Sequence, residues 1–153
     1  MAVKVTVLTE ADAREVASWR YEPPYELYSG SRVGIIAMIE PANRYFAIRR
    51  DGELIGYVCV GPEARVPGLG AEPGVDDIGL GLRPDVTGRG RFRALFPEVI
   101  AQLADEFRED RQRVVIAAWN ARAQAAARAV GFTVAGSHTN ESGVYLLLTR
   151  PRP

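Results

Sequence analysis

The sequence predicts an α/β (α+β) domain in which one central mixed β-sheet is flanked by about four helices. Three observations lead there. Period-two apolar runs alternate with amphipathic stretches of helical period, giving the order β-α-α-β-β-β-α-β-α-β-β. The first half carries a hairpin signal, Asp51-Gly52, whereas the second half reads as strand, helix, strand, helix, strand. No composition shift divides the 153 residues, so residues 1–153 read as a single domain.

Val3, Val5 and Val7 alternate with polar neighbours and predict the first strand. Thr9 then stands before Glu10, Asp12 and an apolar face through Val16 and Ala17, the pattern of an N-capped short helix. Pro23 and Pro24 forbid a regular helix in the aromatic-rich stretch 19–30. A second short helix is expected over 31–39, and strands over 45–49 and 54–60. Residues 61–74, rich in Pro and Gly, predict a loop, and long loops in compact domains often carry function. A strand over 76–82 follows. The main helix is expected over 90–108, with Leu95, Val99, Leu103 and Phe107 on one face and Pro97 awkward in its early turns. Residues 113–118 predict a buried strand. An Ala-rich helix over 120–130 closes at Gly131, and strands over 134–137 and 144–149 end the domain.

Hydrophobic residues make up 47% of the chain, enough for a real core. The 19 basic and 19 acidic residues cancel, which removes any bulk attraction to nucleic acid or anionic membrane. Lys4 is the one lysine, so the positive charge is carried by Arg, which binds phosphate in a bidentate fashion. One cysteine, Cys59, permits neither an intrachain disulfide nor a multi-Cys zinc site, and no metal is expected. The N-terminal residues lack a secretory pattern and no run approaches a membrane span, so a soluble cytoplasmic protein is the expectation.

The segment I-G-L-G-L-R-P-D-V-T-G-R-G-R-F-R, residues 78–93, runs a strand through a glycine turn into a helix. Unpaired N–H groups and the helix dipole converge at such a turn. Gly88 and Gly90 allow close backbone approach, and Arg89, Arg91 and Arg93 add charge. These features predict a pyrophosphate cradle. No Lys follows Gly90, which excludes a P-loop. The third glycine of a dinucleotide fingerprint is also missing.

Residues 82–90 resemble the acyl-CoA loop of the GNAT superfamily of N-acetyltransferases. N-A-R-A-Q-A-A-A-R-A-V-G-F, residues 120–132, is similar to that family's segment after its fifth strand, and D-G-E-L-I-G-Y-V to its second and third strands. The resemblance spans most of the chain. It implies that the strand around 78–82 splays from 114–118. The pantetheine arm of acetyl-CoA, the expected co-substrate, would pair with Leu80, Gly81 and Leu82. Thr87, Gly88, Arg89, Gly90, Arg91 and Phe92 would hold the pyrophosphate, and Asn120 would lie near the thioester.

Some residues depart from the family pattern. Thr87 stands for Gln or Arg, Phe92 for a small residue, and Ala127 for a frequent Tyr general acid; Tyr145 is a substitute for that acid. A Phe92 ring pointing into the pyrophosphate position would argue against cofactor binding. Asp77 is the candidate general base, with a solvated strand start as the competing reading; Asp76 is expected to be solvated. His138 is expected in a surface turn and Cys59 in the core. Trp19, Tyr21, Tyr25 and Tyr28 are expected to form the acceptor wall, with Glu22 and Glu26 as anchors for a cationic amine. The expected activity is acetyl transfer from acetyl-CoA to a primary amine on a small molecule or peptide, with nucleic acid and membrane not expected as partners. The resemblance leaves monomer and homodimer open. The alternative is a catalytically inactive module that senses acyl-CoA or binds a protein.

Overall fold

The structure is a computed structural model that describes residues 2–153. Its elements are β1 (Lys4–Val7), α1 (Glu10–Ser18), α2 (Arg32–Ile39), β2 (Tyr45–Arg50), β3 (Glu53–Val60), β4 (Val75–Leu82), α3 (Arg91–Gln102), β5 (Arg111–Ala117), α4 (Ala121–Ala129), β6 (Thr133–Asn140) and β7 (Gly143–Pro151). The order of strands and helices is the expected one. The seven strands form one sheet in the order β1-β2-β3-β4-β5-β7-β6. Every neighbouring pair is antiparallel except β4 and β5, which run parallel. Among the described residues no helix is long and apolar enough to cross a membrane.

Period-two alternation sends successive side chains to opposite faces, and two apolar clusters result. Ile48 and Ile55 join Val58, Ile78, Phe96, Val99, Phe132 and Leu148 on the face covered by α3 and α4. Their neighbours Ala47 and Leu54 join Ala13, Val16, Trp19 and Met38 on the face covered by α1 and α2. Asp51 (φ 52°) and Gly52 (φ 81°) are both left-handed, as a two-residue turn between β2 and β3 requires.

The start of α1 is fixed by reciprocal bonds. The Asp12 N–H donates to Thr9 Oγ1 at 3.1 Å, and the Thr9 N–H donates to Asp12 Oδ2 at 3.0 Å. Arg49 on β2 donates to Asp12 Oδ1 at 2.5 Å, tying the helix to the sheet. At the far edge, α3 reaches across to β1. The Glu98 carboxylate accepts from the Val3 N–H, and the Gln102 side chain accepts from the Val5 N–H and donates to the Val3 carbonyl. These bonds partly occupy an otherwise open sheet edge.

Several expectations change. The helix expected over 90–108 stops at Gln102, and residues 104–106 form a 3-10 turn. Leu103 and Phe107 are still buried, so the apolar spacing read correctly as core but not as continuous helix. The turn lets Asp76, expected in solvent, serve as a buried acceptor for the N–H groups of Arg108 and Glu109 at 2.9 and 3.0 Å. Pro97 does not break α3. Pro97 and Arg93 both lie on its exposed side, so the carbonyl that loses its donor stays within reach of solvent. β6, expected over 134–137, begins one residue earlier and ends three later, and it includes His138, which therefore sits in a strand rather than a turn.

Replacing Asp12 with Ala is expected to cost about 2 kcal/mol, since a charge-assisted bond to Arg49 and a helix cap are both lost. Burial alone would raise the Asp12 carboxyl, but the bonds from Thr9 and Arg49 outweigh it and hold the group below its usual range. The stabilisation is therefore present above the unfolded-state value of about 3.9 and is lost as pH falls through the lower folded value. Urea unfolding from pH 7 down to 2.5 should show a difference between wild type and variant that stays constant to about pH 4 and then shrinks.

Candidate acyl-transfer site

β4 and β5 pair only from Val75 to Asp77 against Arg111 to Arg113. Beyond that vertex they diverge into a V, the splay that the resemblance implied. A cavity of about 600 Å³ fills the opening. Leu80, Gly81 and Leu82 form one wall, Val114 and Ile116 the other, and α3 and α4 close the top. Strand alternation orients the β4 backbone. The Asp77 carbonyl accepts from Gly61 N–H on one side, and the Leu82 carbonyl accepts from the Tyr21 hydroxyl on the other. Leu80, two residues before Leu82, thus turns its own N–H and C=O toward the cleft.

At the mouth of the cavity, Gly88 (φ 81°), Arg89 (φ 57°) and Gly90 (φ 71°) are three successive left-handed residues. Such a run curls the chain so that its N–H groups converge. Gly90 is the N-cap of α3, and no side chain caps the helix. The surface of the turn is open, since a Cβ built on Gly88 or Gly90 would meet nothing within 4 Å. Thr87 anchors the approach by donating from its hydroxyl to the Pro84 carbonyl at 2.7 Å. Arg91 is held by the Asp85 carbonyl at 2.8 Å. Among the described residues Arg89 and Arg93 have no ion-pair partner, and both line the cavity with Arg122. The arrangement suits a pyrophosphate.

Phe92 stacks on Phe96, with ring centroids 5.0 Å apart, and packs against the main core. Its ring forms part of the cleft wall below the turn and does not cover the glycines. Ala127 is buried in the same wall, leaving an apolar surface where a phenol would otherwise stand. Asn120 lines the cavity, but its amide is engaged at both ends. Oδ1 caps α4 through the Ala123 N–H, and Nδ2 donates to the Tyr28 hydroxyl, both at 3.1 Å. It ties the loop before α2 to α4 in addition to facing the cleft.

On the α1/α2 face lies a second cavity of about 220 Å³. Trp19, Tyr21 and Tyr28 line it, so three of the four expected wall aromatics meet there. Tyr25 does not. It lies against Trp119, 5.8 Å between centroids, with the Arg122 guanidinium 3.8 Å above its ring. Tyr21, Tyr28 and Tyr57 line both cavities, so the two spaces adjoin. Tyr57 lies over Gly81, where a Cβ would come within 2.7 Å of its hydroxyl oxygen. Burial pushes the Tyr21 hydroxyl up to about 12, with Arg122 pulling the other way, and burial also raises Tyr57 and Tyr45. These phenols are protonated donors at neutral pH.

The two expected catalytic side chains are elsewhere. Asp77 is 2% exposed and both its oxygens are occupied. Arg113 Nε donates to Oδ1 at 2.5 Å and Arg113 Nη2 to Oδ2 at 3.1 Å, while Arg65 Nε donates to Oδ2 at 2.7 Å. Two guanidiniums occupy both oxygens, so the geometry makes Asp77 an ion-pair residue of the sheet and not an open base. Tyr145 lines neither cavity. Leu146 and Leu148 point to the α3/α4 cluster, and alternation sends Tyr145 to the opposite face, where β7 pairs it with Ala117 and His138. His138 Nε2 lies 3.1 Å from the Pro67 carbonyl and fastens loop 61–74 to β6. Cys59 is buried as expected, and burial pushes its thiol up to about 12, which rules out a ready nucleophile. Glu22 and Glu26 are exposed and line neither cavity.

Sequence reasoning missed Tyr45, Tyr57, Glu63, Trp119 and Arg122. Tyr45 donates to Glu63 Oε1 at 3.2 Å beside the second cavity. The strand alternation that puts Tyr45 and Tyr57 on the α1/α2 face was readable, because Ala47 and Cys59 share their parity. Nothing local marks Glu63, which is placed by the folding of its loop.

A seven-stranded sheet splayed at its only parallel pair, with an uncapped glycine turn at the mouth, defines an acyl-CoA transferase type of fold. A match to the Acetyltransferase (GNAT) family spans residues 8–132, and the chain belongs to that family. No curated protein sequence matches it. Among solved structures, the aminoglycoside acetyltransferase AAC(6')-Ib in complex with coenzyme A is 19% identical, with a TM-score of 0.76 over 99% of this chain and 95% of that one. An acetyltransferase of the GNAT family from Streptococcus pneumoniae is 15% identical, with a TM-score of 0.68 over 99% and 100%. The ribosomal-protein-S5-alanine acetyltransferase from Vibrio fischeri is 14% identical, with a TM-score of 0.62 over 99% and 94%. At these identities the likeness is one of fold.

If Asp77 is structural, Asp77→Asn will leave Arg113 buried without its charge partner and cost about 3–5 kcal/mol of stability. Thermal and urea unfolding would register this. A variant with unchanged stability would restore Asp77 as a functional candidate.

Proposed function

We propose that this protein transfers the acetyl group of acetyl-CoA to a primary amine on a small molecule. The observation that carries the reading is the open, left-handed turn at residues 88–90, set at the mouth of the cleft between β4 and β5. In this reading, amides of the turn and of Phe92 receive the pyrophosphate, and Arg89 and Arg93 neutralise it. The pantetheine arm lies along the free edge of β4 and completes the hydrogen bonds of Leu80 as an added strand would. Solved GNAT structures bound to coenzyme A or acetyl-CoA support the choice of donor.

The amine enters from the second cavity and meets the thioester near Tyr21, Tyr28 and Tyr57. The ammonium first gives up a proton to solvent; the freed nitrogen lone pair attacks the carbonyl carbon, and the oxyanion that forms is stabilised by the N–H of Leu80. The N–C bond forms, the C–S bond breaks, and coenzyme A leaves as a thiolate. The surplus proton of the amine passes to solvent, and the thiolate takes a proton from solvent. Position 127 is alanine, so no phenol from that position takes part.

Calorimetric titration should give a micromolar Kd for acetyl-CoA, and thiol release should follow when an amine is added. Replacing Gly90 with Val strains a left-handed position by about 1–2 kcal/mol and covers the turn, so acetyl-CoA affinity should fall at least about tenfold. Arg89→Ala should weaken binding and flatten its salt dependence. Absence of binding at millimolar acetyl-CoA would overturn the assignment. Tight binding without turnover of any amine would favour a sensor of acyl-CoA.

A further inference from the structure

The cavity on the α1/α2 face carries its own chemical signature. Its walls are Trp19, Tyr21, Tyr28, Met38, Tyr45 and Tyr57, an aromatic and apolar lining. Among its lining residues Glu63 is the one with a formal charge. Glu63 is exposed at the rim; its carboxylate accepts from the Tyr45 hydroxyl, a neutral partner, and has no ion pair among the described residues. Gly30 and Gly34 complete the lining, and Gly30 lets its loop lie against the Ala17 backbone, where a Cβ would come within 2.5 Å. The volume, about 220 Å³, lies below the roughly 300–1,000 Å³ that drug-sized ligands occupy.

Each feature constrains the acceptor. One carboxylate balances one ammonium; a second or third buried ammonium would be left without a partner. Aromatic faces attract a cation and give a flat apolar body a surface to stack on. Tyr21, Tyr28 and Tyr57 continue into the cleft, which gives a slender amine a path to the thioester. We infer that the acceptor is a compact, singly charged primary amine with an aromatic body, an arylalkylamine, whose ammonium is received by Glu63 before transfer. This rests on the acetyltransferase reading for its catalytic consequence but makes a separate claim about what the cavity binds. It also sets this chain apart from AAC(6')-Ib, whose structures hold kanamycin and ribostamycin, because a polycationic aminosugar would find too little space and too few carboxylates here.

The test is equilibrium binding of phenethylamine and of kanamycin to the full chain by calorimetry, with and without coenzyme A, and with Glu63→Gln in parallel. Phenethylamine should bind at least about tenfold more tightly than kanamycin, and Glu63→Gln should weaken it by about tenfold, the loss expected of a charge-assisted hydrogen bond. Kanamycin binding as tightly as phenethylamine, no phenethylamine binding, or binding indifferent to Glu63→Gln would each overturn the inference. Acetyl-CoA binding is measured separately. If it succeeds while phenethylamine fails, the acceptor class alone falls; if it fails while phenethylamine binds, the transferase reading falls and the cavity assignment stands.

Discussion

The site depends on where β4 and β5 stop pairing. At that vertex sits the buried ion cluster of Asp77, Arg113 and Arg65. Asp77 and Arg113 are register partners across the last bonded step, so their bidentate contact closes the strands at the point from which they open. Arg65 brings in the loop between β3 and β4, and Arg113 also donates to the Gly70 carbonyl and lies 3.6 Å from Glu72. A cluster of this kind contributes little net stability by itself, because desolvating the charges offsets their attraction. Its value is geometric: removing Asp77 would leave the buried Arg113 without its bidentate partner, so this arrangement is strongly preferred. Through Arg65 the same cluster ties the loop that carries Glu63 to the vertex.

The two cavities meet at Tyr21, Tyr28 and Tyr57, and β4 makes room for the last of these with a glycine. Gly79 and Gly81 leave room for Cys59, Ala64 and Tyr57 to lie against the strand. A larger residue at position 81 would displace the Tyr57 ring and remove the wall shared by both spaces. The loop from Trp19 to Gly30 is tied down from the other side. Tyr28 receives a bond from Asn120, Tyr25 and Tyr28 pack against Trp119, and Tyr21 donates to Leu82. The loop 19–30, β4 and α4 are therefore one connected structure.

The fold was legible because its signals are local. The Thr9–Asp12 cap, the Asp51-Gly52 turn and the glycine turn at 88–90 each declare themselves within a few residues, and alternation gave the strands. The candidate site was legible where it is built from backbone, and in three of its four expected wall aromatics. A turn that binds by its amides is specified by adjacent residues; a side chain's role depends on what the fold sets beside it. Asp77 illustrates this: paired acids at a strand start suit a base or a surface, and nothing in D-D-I-G-L says that Arg65 and Arg113 will converge on the second one. Tyr145 failed through strand parity, which places it away from both cavities. Leu103 and Phe107 kept helical spacing across a turn that is not helical, since burial requires only that each reach the core.

Net charge concealed the division that matters most. Basic and acidic residues cancel over the chain, yet the cleft is edged by Arg89, Arg91, Arg93 and Arg122, and the adjoining cavity by Glu63. The two ends carry charge of opposite sign and are separated by the phenols of Tyr21, Tyr28 and Tyr57, which line both spaces. Such a division needs no net charge. It needs the arginines on a turn at one end of the strand splay and the carboxylate on a loop that Arg65 ties to Asp77 at its vertex.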